Sequence, residues 1–307
     1  MRKIPFFILF FLCLAGYAPG QEAGGRYLDE KTQMGLGDYF FQDGDYYRAI
    51  TEYKRFLYFF PQSLRVEEAL WKIASSYFGG KKWDEALSAA DELLTKFPAS
   101  TWVPDALLLK GRCWAEKKDY SQAREFFRRA AEAAPEKTVA SEAQWQIALS
   151  YMKEEKWKDA AGEFRKVNPA SKLYPKAEFY ANGLDRIDEV PQKSPATAGI
   201  LAALLPGAGH LYVERYRDAA ISLVLNGAFI WGTVEAFEHG NYVLGGILTF
   251  FELGWYSGNI YSAVSSAHKY NRNQTKEYLD HLEKEGDISV GVFFHDKHPV
   301  LAFRYVF

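Results

Sequence analysis

Small and aromatic residues return along the first half of the chain in one fixed register. Ala49, Ala86, Ala123 and Ala160 stand 37 residues apart, and an aromatic precedes each by three positions: Tyr46, Trp83, Tyr120 and Trp157. Nine positions before each alanine is another aromatic, Phe40, Tyr77, Trp114 or Tyr151, and three before that a small residue, Gly37, Ala74, Gly111 or Ala148. Pro61, Pro98 and Pro135 follow the first three alanines by twelve. Such self-similarity marks stacked supersecondary units. The small residue lets two helices approach, the aromatics fill the space beside it, and the proline ends the second helix. The pattern predicts four antiparallel helix pairs over 30–63, 67–100, 104–137 and 141–174. The last departs from it, with Lys172 in place of proline and Pro169 arriving early. Residues 175–190, with Phe179, Tyr180, Leu184 and Ile187 at helical spacing, predict a capping helix that completes a repeat domain over 30–190.

The pattern changes after the linker 191–195. Three apolar stretches follow, Ala196–Val213, Ala219–Phe237 and Tyr242–Val264, each near the roughly 20 residues a bilayer span needs. They predict a membrane-associated helical domain over 196–270. Asn226 and Glu252 interrupt the apolar runs and are the candidate intramembrane polar residues, since a carboxylate inside a span usually faces a partner or water. Gly254 and Gly258 offer a small-xxx-small spacing through which helices, including those of a homo-oligomer, pack closely. Arg215 and Arg217 lie between the first two stretches and Lys269, Arg272 and Lys276 after the third, while the turn 238–241 has no Lys or Arg. Three spans with the repeats on the exported side satisfy that distribution. A polar helix over 271–286 and a β-hairpin over 287–307, strands 288–294 and 300–307, close the chain.

The 37-residue register resembles the tetratricopeptide repeat, and the long turn 97–106 is similar to repeats of periplasmic barrel-assembly lipoproteins and Tol–Pal cell-division coordinators. The resemblance implies a tetratricopeptide-like helical-hairpin solenoid; with the apolar helical membrane-associated domain and short C-terminal β-hairpin read above, the expected fold class is mainly α. The resemblance also assigns packing roles to Gly37, Phe40, Ala49, Ala74, Tyr77, Ala86, Gly111, Trp114, Ala123, Ala148, Tyr151 and Ala160, and implies a protein or peptide partner in the repeat groove. Pro206, Gly207, Gly209 and Tyr212 resemble the two-helix membrane-domain family with a Pro-Gly-x-Gly-x-x-Tyr signature, and imply contact with membrane lipid. Asn259-Ile260-Tyr261 and Ala267-His268 with Tyr270-Asn271 look like envelope proteins that place such a domain after repeats. Mechanically, proline and two glycines break the helix, as in a bend or re-entrant segment.

Residues 1–20 read as a secretory signal, with Arg2 and Lys3, an apolar run from Ile4 to Leu14 and a small-residue site at Ala18-Pro19-Gly20, followed by a linker over 21–29. They make the chain an exported protein of a bacterial envelope, with its repeats in the periplasm and the inner membrane favoured over the outer. Removal of that segment would leave Cys113 alone, so stability comes from packing and not from an internal disulfide. A net charge of -2 gives no footprint for nucleic acid. The sequence has no nucleotide-binding glycine loop, His-Glu-x-x-His or paired-cysteine pattern. His210 and Glu214 are a weak metal pair. Neither cofactor nor metal nor catalytic residue is expected. The functional expectation is a non-enzymatic scaffold holding a partner at a membrane. The alternatives are a transport or channel component using Glu252 and the 206–209 break, and a membrane-embedded enzyme using His210, Glu214, His239 or Glu252.

Overall fold

The computed structural model describes residues 29–134, 137–286, 288–295 and 298–305. The expected signal at 1–20, Pro135 and Phe307 therefore lie outside the described residues. The chain divides into two compact units, residues 1–93 and 94–307.

The first unit holds α1 (Glu30–Gln42), α2 (Tyr46–Phe59), α3 (Val66–Gly79) and most of α4 (Trp83–Lys96). Asp29 and Asp45 start α1 and α2 by accepting backbone N–H groups of Thr32 at 2.6 Å and Arg48 at 3.1 Å. Gly37 shows what its column is for. A Cβ there would sit 2.4 Å from the Tyr53 ring, so the ring packs where a side chain would otherwise be. Met34, Ala49, Tyr53, Phe56, Ala74, Ala86 and Ala90 are buried around the helix pairs.

In the second unit α5 (Val103–Glu116) and α6 (Tyr120–Ala133) repeat this arrangement, Gly111 lying against Phe127 as Gly37 does against Tyr53. Next come α7 (Lys137–Lys153), α8 (Trp157–Phe164) and α9 (Tyr174–Asp185). Helix α8 has 8 residues where α2, α4 and α6 each have 14. Pro169 keeps the helix from running on past residue 167, because the residue before a proline avoids helical backbone and the proline itself donates no hydrogen bond, and α8 has already ended at Phe164. Trp145, Phe164 and Tyr180 close the core with ring centroids 4.8 to 5.4 Å apart.

The turn inside each pair also repeats. Gly44, Lys81, Lys118 and Glu155 all have positive φ, between 57° and 81°. Only the first is glycine, so three side chains are held in a backbone region that disfavours them. Lys118→Gly is expected to raise the stability of the repeats by up to about 1 kcal/mol, with Gly44→Lys lowering it similarly; shifts of the urea midpoint in those opposite directions check this. Another repeat appears at the outer pairs. Gln33 donates to the Glu52 carbonyl at 2.9 Å and carboxylate at 2.8 Å, and Gln144 donates likewise to Glu163 at 3.0 and 2.6 Å. At the equivalent positions the inner pairs carry Leu70 with Ala89 and Leu107 with Phe126.

The remaining helices are α10 (Pro195–Leu204), α11 (Ala208–Tyr212), α12 (Tyr216–Glu238) and α13 (Tyr242–Gly286). Three corrections to the sequence expectations arise here. The stretch Ala196–Val213 is no span, because Pro206 and Gly207 split it into α10 and α11, and ten helical residues cover only about 15 Å. The polar segment 271–286 is no separate helix, because α13 runs unbroken for 45 residues. The fold class is also simpler than expected. Among the described residues the architecture is a stack of helices, and the expected β-hairpin is no part of that helical stack. Ile288–His295 and His298–Tyr305 are antiparallel-paired backbone in a two-stranded ribbon.

The rear of α13 returns to the repeats. Leu282 is buried in the core of α7, α8 and α9, and a Cβ on Gly183 would lie 2.3 Å from it. The Tyr278 hydroxyl donates to the Gly183 carbonyl at 2.7 Å. The front of α13 instead packs with α10 and α12.

Candidate functional site

Helices α12 and α13 have an inverted polarity. Their buried residues are small or polar: Ala219, Asn226 and Ala236 on α12; Gly245, Glu252, Asn259, Ala263, Ser266 and Ala267 on the apolar part of α13. On α13 the positions 245, 252, 259 and 266 are seven apart, and on α12 so are Ala219, Asn226 and Thr233. Heptad spacing keeps one seam turned toward a partner helix. Large apolar side chains face outward instead, with Val224 67% exposed, Trp231 69%, Phe250 75% and Leu253 65%. In water this would be a large exposed apolar face. The two helices also stack Phe229 on Trp255, centroids 5.9 Å apart.

The polar seam is incompletely satisfied. Asn226 donates to the carbonyl of Ser222 on its own helix at 2.6 Å, and its Oδ1 has no partner. Both oxygens of Glu252 are buried and unpartnered, so no hydrogen bond joins it to Asn226. His210 shares a 3.0 Å hydrogen bond between Nε2 and Ser262 Oγ. Arg215 donates to Ser266 Oγ at 2.9 Å. A buried polar group without a partner is costly, and such groups gather where a ligand, water or another chain completes them.

The signature residues build the base of this bundle. Gly207 has φ of 88°, and a Cβ on it would lie 2.3 Å from the Ala219 carbonyl; one on Gly209 would lie 2.2 Å from the Ala198 carbonyl. Both positions need glycine on space, and Gly207 on conformation too. Pro206 immediately precedes that reversal. Tyr212 Oη accepts from the backbone N–H of Ser194 at 3.1 Å. Lys193 lies over the rings of Tyr212 and Tyr270, pairs with Glu214 at 3.2 Å, and exchanges backbone hydrogen bonds with the Asn271 amide at 2.7 and 2.9 Å. The linker is thereby fastened to α13. His210 and Glu214 are not brought together, since Glu214 turns to Lys193 and His210 to Ser262.

Among the repeat-packing candidates, Ala49, Ala74, Ala86, Ala123, Ala148 and Ala160 are fully buried, Gly37 and Gly111 buried, and Phe40, Tyr77, Trp114 and Tyr151 half-buried. The reading of the columns overlooked the position sixteen after each small residue: Tyr53, Ala90, Phe127 and Phe164, all buried. The same 37-residue register would have found it. Lys193 was also overlooked; it sits in a proline-flanked linker with no pattern of its own. Exposed aromatics remain on α2, with Tyr47 82% and Tyr58 79% exposed beside Phe59.

A family model described as tetratricopeptide repeat matches residues 68–137. Those residues are tetratricopeptide repeats. No curated protein matches the sequence. Among solved structures, a tetratricopeptide repeat protein from Parabacteroides merdae is 18% identical, with 83% of this chain and 98% of that chain covered and a TM-score of 0.41. The Rap protein complexed with competence and sporulation factor is 12% identical, covering 83% and 76%, with a TM-score of 0.42. The apo form of RapI is 14% identical, covering 84% and 87%, with a TM-score of 0.40.

Proposed function

We propose that this chain is a non-enzymatic envelope scaffold, in which the repeats bind a protein or peptide and α10–α13 hold that complex at a membrane. The family matched at 68–137 supports the first part, because stacked helical pairs of this kind present a surface to protein partners. The inverted polarity of α12 and α13 carries the second. Lipid accepts outward Leu, Val, Phe and Trp, and small residues between helices let their backbones approach.

Among the described residues α12 is the one helix long and apolar enough to cross a membrane, and only 11% of its apolar window is buried within the protein. The front of α13 averages less apolar because Glu252 and Asn259 lower the mean, yet both face the seam and not the outer surface. Each of α12 and residues 242–264 is about 35 Å long, against about 30 Å of hydrocarbon. We therefore read them as one inserted hairpin, with α10 and α11 as a half-depth re-entrant segment. Since the rear of α13 packs on the repeats, both ends of that hairpin share a side. Arg215, Arg217, Lys269, Arg272 and Lys276 all fall on that side, so the charge distribution that favoured exported repeats with three spans favours the opposite side with two. Export in this proposal rests on residues 1–20.

The full chain is expected to stay with the membrane pellet through alkaline carbonate washing and to dissolve in detergent. Release into the carbonate supernatant would leave only a peripheral role. A second reading draws on Glu252, whose carboxylate is buried without a partner. A transport component would show proton-coupled flux in vesicles that Glu252→Gln abolishes, and a scaffold would show none.

A further inference from the structure

One groove in the second unit is used neither by helix packing nor by membrane attachment. Its volume is about 720 Å³. Leu149 and Met152 of α7, Trp157 of α8, Tyr180 of α9 and Leu279 of α13 give it an apolar lining. On α13 the lining residues run from His268 to Glu283 at helical spacing, so one face of that helix borders the groove over about 22 Å.

The charges around this groove are left without partners. Among the described residues none of Lys153, Glu155, Arg272, Lys276, Asp280 and Glu283 makes an ion pair, although all line it. Lys276 and Asp280 are one turn apart, the spacing at which opposite charges on a helix meet, and still stay separate. On the neighbouring repeat, by contrast, Glu154 pairs with Arg124 at 2.7 Å and with Lys156 at 3.2 Å. The Asn271 amide is engaged by the Lys193 backbone, so recognition in the groove falls to charge. Along α13 the charges are also sorted. Arg272 and Lys276 come first, and Asp280 and Glu283 follow about 11 Å farther on.

We infer that this groove takes an extended peptide of a partner protein, carrying one acidic and one basic side chain with an apolar side chain between them. A separation of about 11 Å is three or four residues of extended chain. The acid meets Arg272 and Lys276, the base meets Asp280 and Glu283, and the apolar side chain lies against the lining of Met152, Trp157 and Leu279. An anionic lipid head or a nucleic acid fits worse, because Glu155, Asp280 and Glu283 would repel it. The inference rests on the scaffold reading and names where the peptide sits, beside α13 and not on the repeats alone.

The full chain in detergent is titrated against three pools of capped nine-residue peptides bearing a neutral fluorophore, and anisotropy reads the affinity. Each pool has a central leucine flanked by two charged positions four apart, with uncharged residues elsewhere. The charged positions hold aspartate and lysine in either order, two aspartates, or two lysines. The mixed pool is expected to bind about fivefold more tightly than either other, because each of those loses one exposed ion pair. Arg272→Glu with Lys276→Glu should move the preference to the two-lysine pool, and Asp280→Lys with Glu283→Lys to the two-aspartate pool. All four side chains are exposed, and a switch of preference, unlike a loss, does not arise from misfolding. Equal binding of the three pools by the unaltered chain, or a mixed preference that both variants keep, would overturn the groove and leave peptide binding by the repeats standing. Absence of binding by every pool would overturn the peptide-binding reading beneath it as well.

Discussion

Ala123→Asp is expected to lower the melting temperature of the repeats by about 10–15 °C, the shift that follows from a loss of about 4 kcal/mol in a region of this size. Ala123 is fully buried in a cluster with Leu107, Phe127, Ala130 and Ile147. A carboxylate there would be buried among apolar side chains, where a charge is costly. Ala133 is exposed on the same helix. The same change at that position should cost a few tenths of a kcal/mol, as surface substitutions do. Thermal melts of the two variants separate a buried helix crossing from a general intolerance of charge. An Ala123→Asp melt matching the Ala133→Asp melt would mean that the alanine column does not hold the pairs together.

The second large effect concerns the outward face of α12 and α13. Val224→Lys and Leu253→Lys are each expected to weaken insertion by about 2.5–3.5 kcal/mol, the insertion-scale cost of lysine at the centre of a span. Together they should move most of the protein into the carbonate supernatant. Glu252→Leu should act in the opposite sense, strengthening retention, because it removes a buried carboxylate with no partner. An apolar face that meets water or a protein groove gives another result. There the lysines leave retention unchanged or raise solubility, and Glu252→Leu has no advantage.

The repeats were legible in the sequence because their packing is set locally and then copied. Gly37 and Gly111 stand out in a column of small residues beside an aromatic one, and the structure gives the reason in Tyr53 and Phe127. The restriction of Gln-to-Glu hydrogen bonds to 33/52 and 144/163, with apolar residues at 70/89 and 107/126, was not legible. A glutamine on a helix looks solvated until its partner helix is in place. Residues 196–270 are helical, but the first of the three apolar stretches forms two short helices and not one. Hydropathy counts residues along the chain and does not see that Pro206 and Gly207 fold the first stretch back on itself. Continuity of α13 through 265–276 was hidden for a related reason, since a helix that leaves an apolar layer for a polar one changes composition without changing conformation. The last residues, Leu301, Phe303, Tyr305 and Phe307, alternate in sequence with less apolar neighbours. A two-residue period predicts extended backbone, but two strands offer no second sheet or barrel to join.

Most directly, the hairpin arrangement can be tested by labelling single cysteines from each side of the membrane with an impermeant maleimide. Cys113 is fully buried and burial pushes its thiol up to about 12, so it stays silent, and Cys13 is replaced by serine. Reporters are placed at Glu92 on the repeats, Asn241 in the α12–α13 turn and Glu283 on the rear of α13. Labelling of Glu92→Cys and Glu283→Cys from one side, and of Asn241→Cys only from the other, is the expected result. Labelling of Glu283→Cys from the side opposite Glu92→Cys, or of all three from one side, would contradict it.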